Sequence, residues 1–247
     1  MEKNNTGKYF KYAIGEIILV VIGILIALSI NNWNKERLKN IQIKTNLTSL
    51  LSAIEQDYDL LKQIEEINDF RTNSILQILK WTEAPIGELD TIPVKLNSTL
   101  IWEKAMPETF NPDFFYKAFL YINRPRKMIV QYYAIEELKN LGLYSNLKNQ
   151  HLKNLLNEYY TDLNWFFSGN STTIKDLKNY VRDNYNLRLS DISLMDEPLT
   201  LIKNDLGFIL RLREIHYSAT WRLRSAKISK IRAGVLLNEI RSEINKR

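Results

Sequence analysis

The chain has 247 residues, eight glycines, six prolines, no cysteine and a formal net charge of +6. This length is enough for a membrane anchor plus one domain of about 210 residues, and the scarcity of Gly and Pro favours long helices over a loop-rich fold. The absence of cysteine excludes disulfides and thiolate chemistry. The two histidines, His151 and His216, lie far apart in no metal-ligand spacing, so we expect no histidine-based metal site.

An apolar run, Ala13–Ile30, stands near the N-terminus and contains one ionisable residue, Glu16. As a helix at ~1.5 Å per residue it is ~27 Å long, close to the ~30 Å hydrocarbon core of a bilayer. The sequence therefore predicts a short basic tail at 1–12 and a transmembrane helix at 13–32 in contact with membrane lipid. Aromatic residues flank the run, as at the two bilayer interfaces: Tyr9, Phe10, Tyr12 and Trp33.

Two other interpretations of the apolar run are weaker. A cleavable signal peptide needs small residues at its cleavage site, which Ala27-Leu28-Ser29 fits loosely. A pilin-like N-terminus needs glycine five residues before the glutamate, where this chain has Lys11. An uncleaved anchor is the preferred interpretation. Lysine and arginine stand on both sides of the run, so the charge rule does not fix its orientation.

Glu16 is interpreted either as a carboxylate near the interface that reaches water, or as a contact with a partner helix or a proton site. Val20, Gly23 and Ala27 follow it on one helical face. Gly23 and Ala27 are a pair of small residues four apart, which lets two helices approach closely in lipid. The sequence therefore predicts a partner contact, or self-association, through Glu16, Val20, Gly23 and Ala27.

The residues from Tyr12 to Asn34, YAIGEIILVVIGILIALSINNWN, resemble the anchor signature YAIGEIxLVVIGILIALxINNWNE of an uncharacterised family of single-pass membrane proteins from Gram-negative bacteria. Lys35 stands where a Glu is usual. A second stretch, Ile135–Tyr160, is similar to the family's YEELKxSGxLxLIKNxxLRxxIxxYY region. The resemblance implies a cytoplasmic N-terminus and a helical domain on the periplasmic side of the inner membrane. It implies no catalytic residues.

The first helix is expected to continue from the membrane far into the aqueous domain, because no Gly or Pro occurs from Ile24 to Ala84. Apolar residues three and four apart predict one buried face on it: Ile43, Leu47, Leu51, Ile54, Tyr58 and Leu61. We expect an irregular region with a short helix at about 85–107. The predicted helices that follow begin and end at Gly, Pro and capping residues: 112–123 after Asn111, about 126–140 ending at Gly142, about 149–167, and 171–184 with Ser171 as cap.

After an irregular stretch at 187–194, a last long helix is predicted from Pro198 or Asp205 to Asn245. Its apolar residues alternate strictly at spacings of three and four, and nine of the eleven positions are apolar. Such a repeat is typical of a coiled-coil seam. His216 lies on this stripe and is more typical of a core histidine than of a ligand. The seam comprises Ile209, Leu212, His216, Ala219, Leu223, Ala226, Lys230, Ala233, Leu237, Ile240 and Ile244.

The two long helices carry opposite charge: residues 51–70 sum to −5 and residues 206–232 to +6. A basic stretch can also bind nucleic acid or anionic lipid, but internal pairing is preferred here and no nucleic-acid partner is expected. The predicted fold is all-α, with a bundle at 33–247 in which the first and last helices pack antiparallel. The residues proposed to pair between them are Glu55, Asp59, Glu66, Arg211, Arg222 and Arg224. Reversing Arg222 and Arg224 to Glu should then lower stability modestly.

No phosphate loop, HExxH, GxSxG or calcium-loop pattern occurs, so no cofactor and no catalysis are indicated. The favoured function is a membrane-anchored helical interaction or scaffold module, either a subunit of a cell-envelope complex or a homo-oligomer. The alternative is a periplasmic ligand-sensing domain coupled to the transmembrane helix, with a pocket near His216 or the paired tyrosines. An enzyme and a proton site at Glu16 are the remaining, less favoured hypotheses.

Overall fold

A computed structural model describes residues 6–83, 100–169 and 172–247, which form eight helices and contain no strand. The helices are α1 Thr6–Trp81, α2 Pro112–Asn123, α3 Tyr133–Asn140, α4 Gln150–Phe167, α5 Thr173–Tyr185, α6 Leu189–Ile192, α7 Pro198–Lys203 and α8 Leu206–Asn245. The predicted all-α fold with a long first and a long last helix is confirmed.

The two long helices run antiparallel, as predicted. The Arg241 guanidinium lies 2.7 Å from the Glu55 carboxylate, and Lys230 pairs with Glu65 further along. Residue numbers thus rise along α1 as they fall along α8. At the end of α8, Arg247 donates a hydrogen bond of 2.9 Å to the side chain of Asn40.

The first helix has 76 residues and is therefore ~114 Å long. Every residue from Tyr9 to Gln42 except Gly15 is exposed, whereas Ile43 begins a buried face. About 20 Å of exposed helix separates Ile30, where the apolar run ends, from this first buried residue. We call this exposed segment, residues 31–42, the stalk.

Two hydrophobic cores lie one after the other along α1. The stalk-proximal core is formed by residues 43–64 of α1 with α3, α4 and the C-terminal half of α8. The distal core is formed by residues 70–79 of α1 with α2, α5, α6, α7 and the start of α8. Every residue of α1 from Phe70 to Leu79 is buried, so the smaller helices surround α1 at this level.

The helix ends follow from local capping, as the sequence predicts. The side chains of Asn111, Asn149 and Asp205 each accept a hydrogen bond from a backbone N–H in the first turn of α2, α4 and α8. Such bonds satisfy donors that have no partner within the helix. After α3 the chain turns at Gly142, where φ is +67°, a left-handed conformation that glycine adopts without a steric penalty.

The helix predicted from about Arg126 is wrong in its first part, because α3 begins only at Tyr133. Residues 124–132 have no regular secondary structure instead. Pro125 disfavours helical geometry at Arg124, and Met128 and Val130 pack against the stalk-proximal core.

Smaller differences also have physical reasons. The stretch 187–194 contains the short helix α6, because Leu189 and Ile192 are buried in the distal core. Residues 198–203 form a separate helix, so the last long helix begins after Asp205. On α1, Leu51 and Tyr58 lie only half-buried at the edge of the predicted face. Within the region 85–107, residues 85–99 lie outside the described residues, as does the predicted cap Ser171, and 100–107 are not helical.

The eleven predicted seam positions of α8 face the interior: eight are buried and three are half-buried. The half-buried residues are Leu223, Lys230 and Ile244. The buried surface of α8 is wider than this seam and includes Phe208, Ile215, Ser225, Ser229 and Leu236. A helix packed against several neighbours needs such a broad face, whereas a two-stranded seam is narrow.

Candidate functional site

The apolar span Ala13–Ile30 lies outside both cores. By length and composition α1 is the one described helix that could cross a membrane. Glu16, Val20, Gly23 and Ala27 are all exposed, and a Cβ built at Gly23 would meet nothing within 4 Å. This face is therefore open to lipid or to another helix.

The acidic residues of α1 that are predicted to pair with α8 are half-buried or exposed. Glu55 pairs with Arg241, a residue beyond the basic stretch. Asp59 is exposed beside the same arginine, in a shallow hollow that Glu55 and Gly234 also line. Glu66 is half-buried, next to the Glu65 that pairs with Lys230.

The three predicted arginines have different surroundings. The Arg211 guanidinium lies 3.9 Å above the Tyr180 ring, within the range of a cation–π interaction. Arg222 is half-buried and donates a hydrogen bond of 3.0 Å to the carbonyl oxygen of Gly169. Arg224 is exposed.

Asp57 is a buried carboxylate that the sequence analysis did not single out. Its side chain is fully buried on α1, accepting a hydrogen bond of 3.0 Å from the backbone N–H of Gln131 and one of 3.3 Å from the Tyr159 hydroxyl. Burial raises the pKa of Asp57 to about 6, although both hydrogen bonds favour the ionised form. Its position between Ile54 and Leu61 on the predicted apolar face was the available signal.

Of the two tyrosine pairs in the sequence, Tyr159 is buried and Tyr160 is half-buried, whereas Tyr132 and Tyr133 are exposed. Tyr159 is buried, and its ring lies 5.2 Å from that of Tyr160 in an edge-on contact. Burial raises the pKa of both hydroxyls, and the nearby Asp57 raises it further. His216 is buried on α8, and burial lowers its pKa, which favours the neutral imidazole.

Another carboxylate, Asp205, joins α5 to the start of α8. It caps α8 through the N–H of Phe208, and it accepts hydrogen bonds from the hydroxyls of Tyr180, at 2.8 Å, and Tyr185. The chain passes so close to this group that a Cβ at Gly207 would lie 2.8 Å from the Tyr180 ring carbon that carries the hydroxyl. A side chain at this position would therefore require Tyr180 to shift.

A basic cavity of about 550 Å³ lies at the level where the two cores meet. Four residues from three segments of the chain form its apolar walls: Pro125, Met128, Phe167 and Ile174. Five cationic residues also line it: Arg71, Arg126, Lys127, Lys175 and Arg222. None of the described lining residues is acidic.

Arg71 is the most buried of these cations, with 2 % of its surface exposed. One terminal nitrogen donates a hydrogen bond of 2.8 Å to the Asn68 side chain, while its Nε is buried without a hydrogen-bond partner among the described residues. Burial, together with the smaller effect of the positive charge of Arg222, lowers the pKa of Arg71 to about 10. Arg71 is the one charged residue between Phe70 and Leu79, a signal visible in the sequence.

Comparison with known proteins gives one family. Residues 16–98 match a family of unknown function, DUF6090. The matched stretch begins inside the apolar span and includes the rest of α1, whereas α2 to α8 lie outside it. No curated protein and no solved structure matches the chain. The chain is thus similar, over about a third of its length, to proteins of an uncharacterised family, and its function is argued from the geometry.

Proposed function

We propose that the chain is a single-pass protein of the inner membrane that acts as a helical interaction or scaffold module, in a cell-envelope complex or as a homo-oligomer. The N-terminus is cytoplasmic and the bundle is periplasmic, the orientation that the family resemblance implies. One observation carries the proposal. A single helix, α1, is both the exposed apolar span and the central element of two buried cores.

The exposed span supports an interaction within the membrane. Eighteen mainly apolar residues of a folded protein are exposed together, and a surface of this size indicates contact with lipid or with another protein. In lipid, helices associate through close packing of small residues rather than through the hydrophobic effect. Gly23 and Ala27 provide such a surface, and Glu16 on the same face offers a hydrogen-bonding group to a partner.

Disulfide crosslinking in native membranes tests this contact, because the chain has no cysteine of its own. We expect Gly23→Cys and Ala27→Cys to form crosslinked products several-fold more efficiently than Leu25→Cys, which lies on the opposite helical face. A crosslinked product with twice the mass of the chain supports a homo-oligomer. A crosslinked product of any other mass supports a different protein partner. Equal crosslinking at all three positions, with a monomer in mild detergent, refutes the proposed contact.

A membrane-impermeant maleimide tests the orientation. Gln150→Cys, at the start of α4, should be labelled from outside the cytoplasmic membrane in intact spheroplasts. Thr6→Cys in the N-terminal tail should be labelled only after permeabilisation. The reverse pattern refutes the periplasmic placement of the bundle.

Ligand sensing is the second candidate function, and the basic cavity favours it. The cavity is lined by residues of α1, α4, α5 and α8 together with residues 125–128. A ligand bound there would contact the same helix that forms the span. Sensing predicts that a ligand changes the efficiency of Gly23→Cys crosslinking; an unchanged efficiency with the ligand bound contradicts it.

A further inference from the structure

We infer that the basic cavity is a binding site for a soluble organic anion with at least two negative charges beside an apolar group, held chiefly by Arg71 and Arg222. Ligand sensing is the second candidate function, and this site would supply its ligand. Only the consequence of binding, a signal to the membrane span, rests on that proposed function. The binding itself is a property of the cavity and is measured separately.

The charge distribution is the first argument. Five cations and no described acid line one concave surface, so their fields add within a space partly screened from water. An anion that enters the cavity neutralises these cations. Guanidinium groups present planar pairs of N–H donors that match the oxygens of a carboxylate or a phosphate. Three of the five side chains are of this kind, and two of them, Arg71 and Arg222, are the most buried of the five.

The state of Arg71 is the second argument. Its guanidinium is almost completely buried, its Nε has no hydrogen-bond partner among the described residues, and Arg222 is close enough to repel it. Burial of a charge is unfavourable unless a partner compensates for it. A bound anion would compensate for this buried charge and would lie between two cations that otherwise repel each other.

The start of α5 adds a further positive potential. Ile174 and Lys175 of its first turn line the cavity. The positive end of a 13-residue helix favours an anion. Asp176 in the same turn is not among the residues that line the cavity.

Size and position narrow the ligand class. A volume of about 550 Å³ is that of a site for a small organic molecule and exceeds what one inorganic ion needs. Phe167, Met128 and Ile174 offer an apolar wall to such a molecule. Arg71 lies ~60 Å along α1 beyond Ile30, so the headgroups of the membrane that holds the span cannot reach it. The ligand is therefore a soluble one.

Calorimetric titration of the full chain in detergent micelles, at pH 7.5 and low salt, tests the inference. The probes are phenyl phosphate and phthalate, two dianions with an aromatic ring, which distinguish a phosphate from a carboxylate ligand. Inorganic phosphate and neutral phenol are the comparison compounds. We expect at least one dianion to bind, inorganic phosphate to bind more weakly, and phenol not to bind.

The variants are Arg222→Gln and its matched control Arg224→Gln, which removes the same charge from an exposed position of the same helix. We expect Arg222→Gln to weaken binding of the dianion at least tenfold and Arg224→Gln to change it less than twofold. If Arg222→Gln does not fold, Lys175→Gln against the exposed Lys227→Gln gives the same comparison with a smaller expected ratio. Equal weakening by variant and control, or no binding of either dianion to the wild type, overturns the inference.

The same samples separate this inference from the sensing function. Binding of a dianion that leaves Gly23→Cys crosslinking unchanged supports the site and refutes sensing. Absence of binding overturns the site and leaves the proposed membrane contact, which is tested by crosslinking alone.

Discussion

The substitution Asp57→Asn removes a buried charge while retaining the shape of the side chain. The asparagine oxygen can accept the bond from the Gln131 N–H, now 3.0 Å long, and the new amide group can donate to the Tyr159 hydroxyl oxygen, now 3.3 Å away. No cavity is created, but the Tyr159 hydroxyl loses the acceptor for its own proton. This loss is the same at every pH, so the pH dependence of the stability difference isolates the free-energy cost of ionising Asp57 inside the bundle.

The expected magnitude follows from the pKa of Asp57. Burial raises this pKa from 3.8 to about 6, so folding favours the protonated carboxyl. The stability that protonation contributes is fully present below pH ~4 and is lost as the pH rises through about 6. At 1.36 kcal/mol per pKa unit, the difference is about 3 kcal/mol. The stability of Asp57→Asn relative to the wild type should thus increase by about 3 kcal/mol between pH 4 and pH 8.

Urea unfolding of the full chain in detergent, followed by tryptophan fluorescence from pH 4 to pH 8, measures this difference. The pKa of His216 is lowered, so its protonation destabilises the bundle as the pH falls, which is opposite to the effect of Asp57. Because His216 is present in both proteins, its contribution cancels in the difference between their stabilities. Asp59→Asn, at an exposed position two residues further along α1, is the control and should show no pH-dependent gain. A difference that does not vary with pH, or a loss of stability in Asp57→Asn at pH 8, would refute the reasoning.

Two further pairs of variants test the packing of α8 by the same urea assay. Gly207→Ala should destabilise the bundle by about 1–3 kcal/mol, because its methyl group would overlap the Tyr180 side chain. Gly234→Ala, where a Cβ meets nothing nearer than 4.0 Å, should stabilise the bundle by up to ~1 kcal/mol. A gain in stability in both variants would show that the Tyr180 side chain moves freely. Arg222→Glu should leave stability unchanged or raise it by up to ~1 kcal/mol, because a carboxylate would then face the buried Arg71 of the basic cavity. Arg224→Glu, at an exposed position, should lower stability by no more than ~0.5 kcal/mol. A loss above ~1 kcal/mol in Arg222→Glu would mean that its bond to the Gly169 carbonyl matters more than the repulsion.

The parts of the fold that local signals determine were predictable from the sequence. The α2 and α4 boundaries follow from an Asn cap at each start, and the buried stripe of α8 follows from its spacing. The irregular conformation of residues 124–132 was not predictable, because the Gln131 backbone N–H donates a hydrogen bond to Asp57, 74 residues away in the sequence. Helix propensity alone gives no information about such a contact.

The charged contacts show the same division. The total charges of the two long helices indicate that they attract each other, but the individual pairs depend on the register of α1 against α8. That register brings Glu55 to Arg241 and Glu65 to Lys230. The position of the basic cavity depends still more on how the helices pack, since its five cations come from three helices and from residues 126–127. In the sequence, only the isolated charge of Arg71 on an otherwise uncharged part of α1 indicated this cavity.

The absence of glycine and proline between Gly23 and Trp81 has a mechanical consequence. With Ala13–Ile30 embedded in a bilayer, α1 has no hinge, and about 77 Å of helix projects from Ile30 to Trp81. Membrane helices tilt by about 20° on average, and such a tilt would swing the far end of this lever sideways by about 26 Å. A change of this size in the tilt angle of the span would therefore displace the distal core by a distance comparable to the width of a small protein.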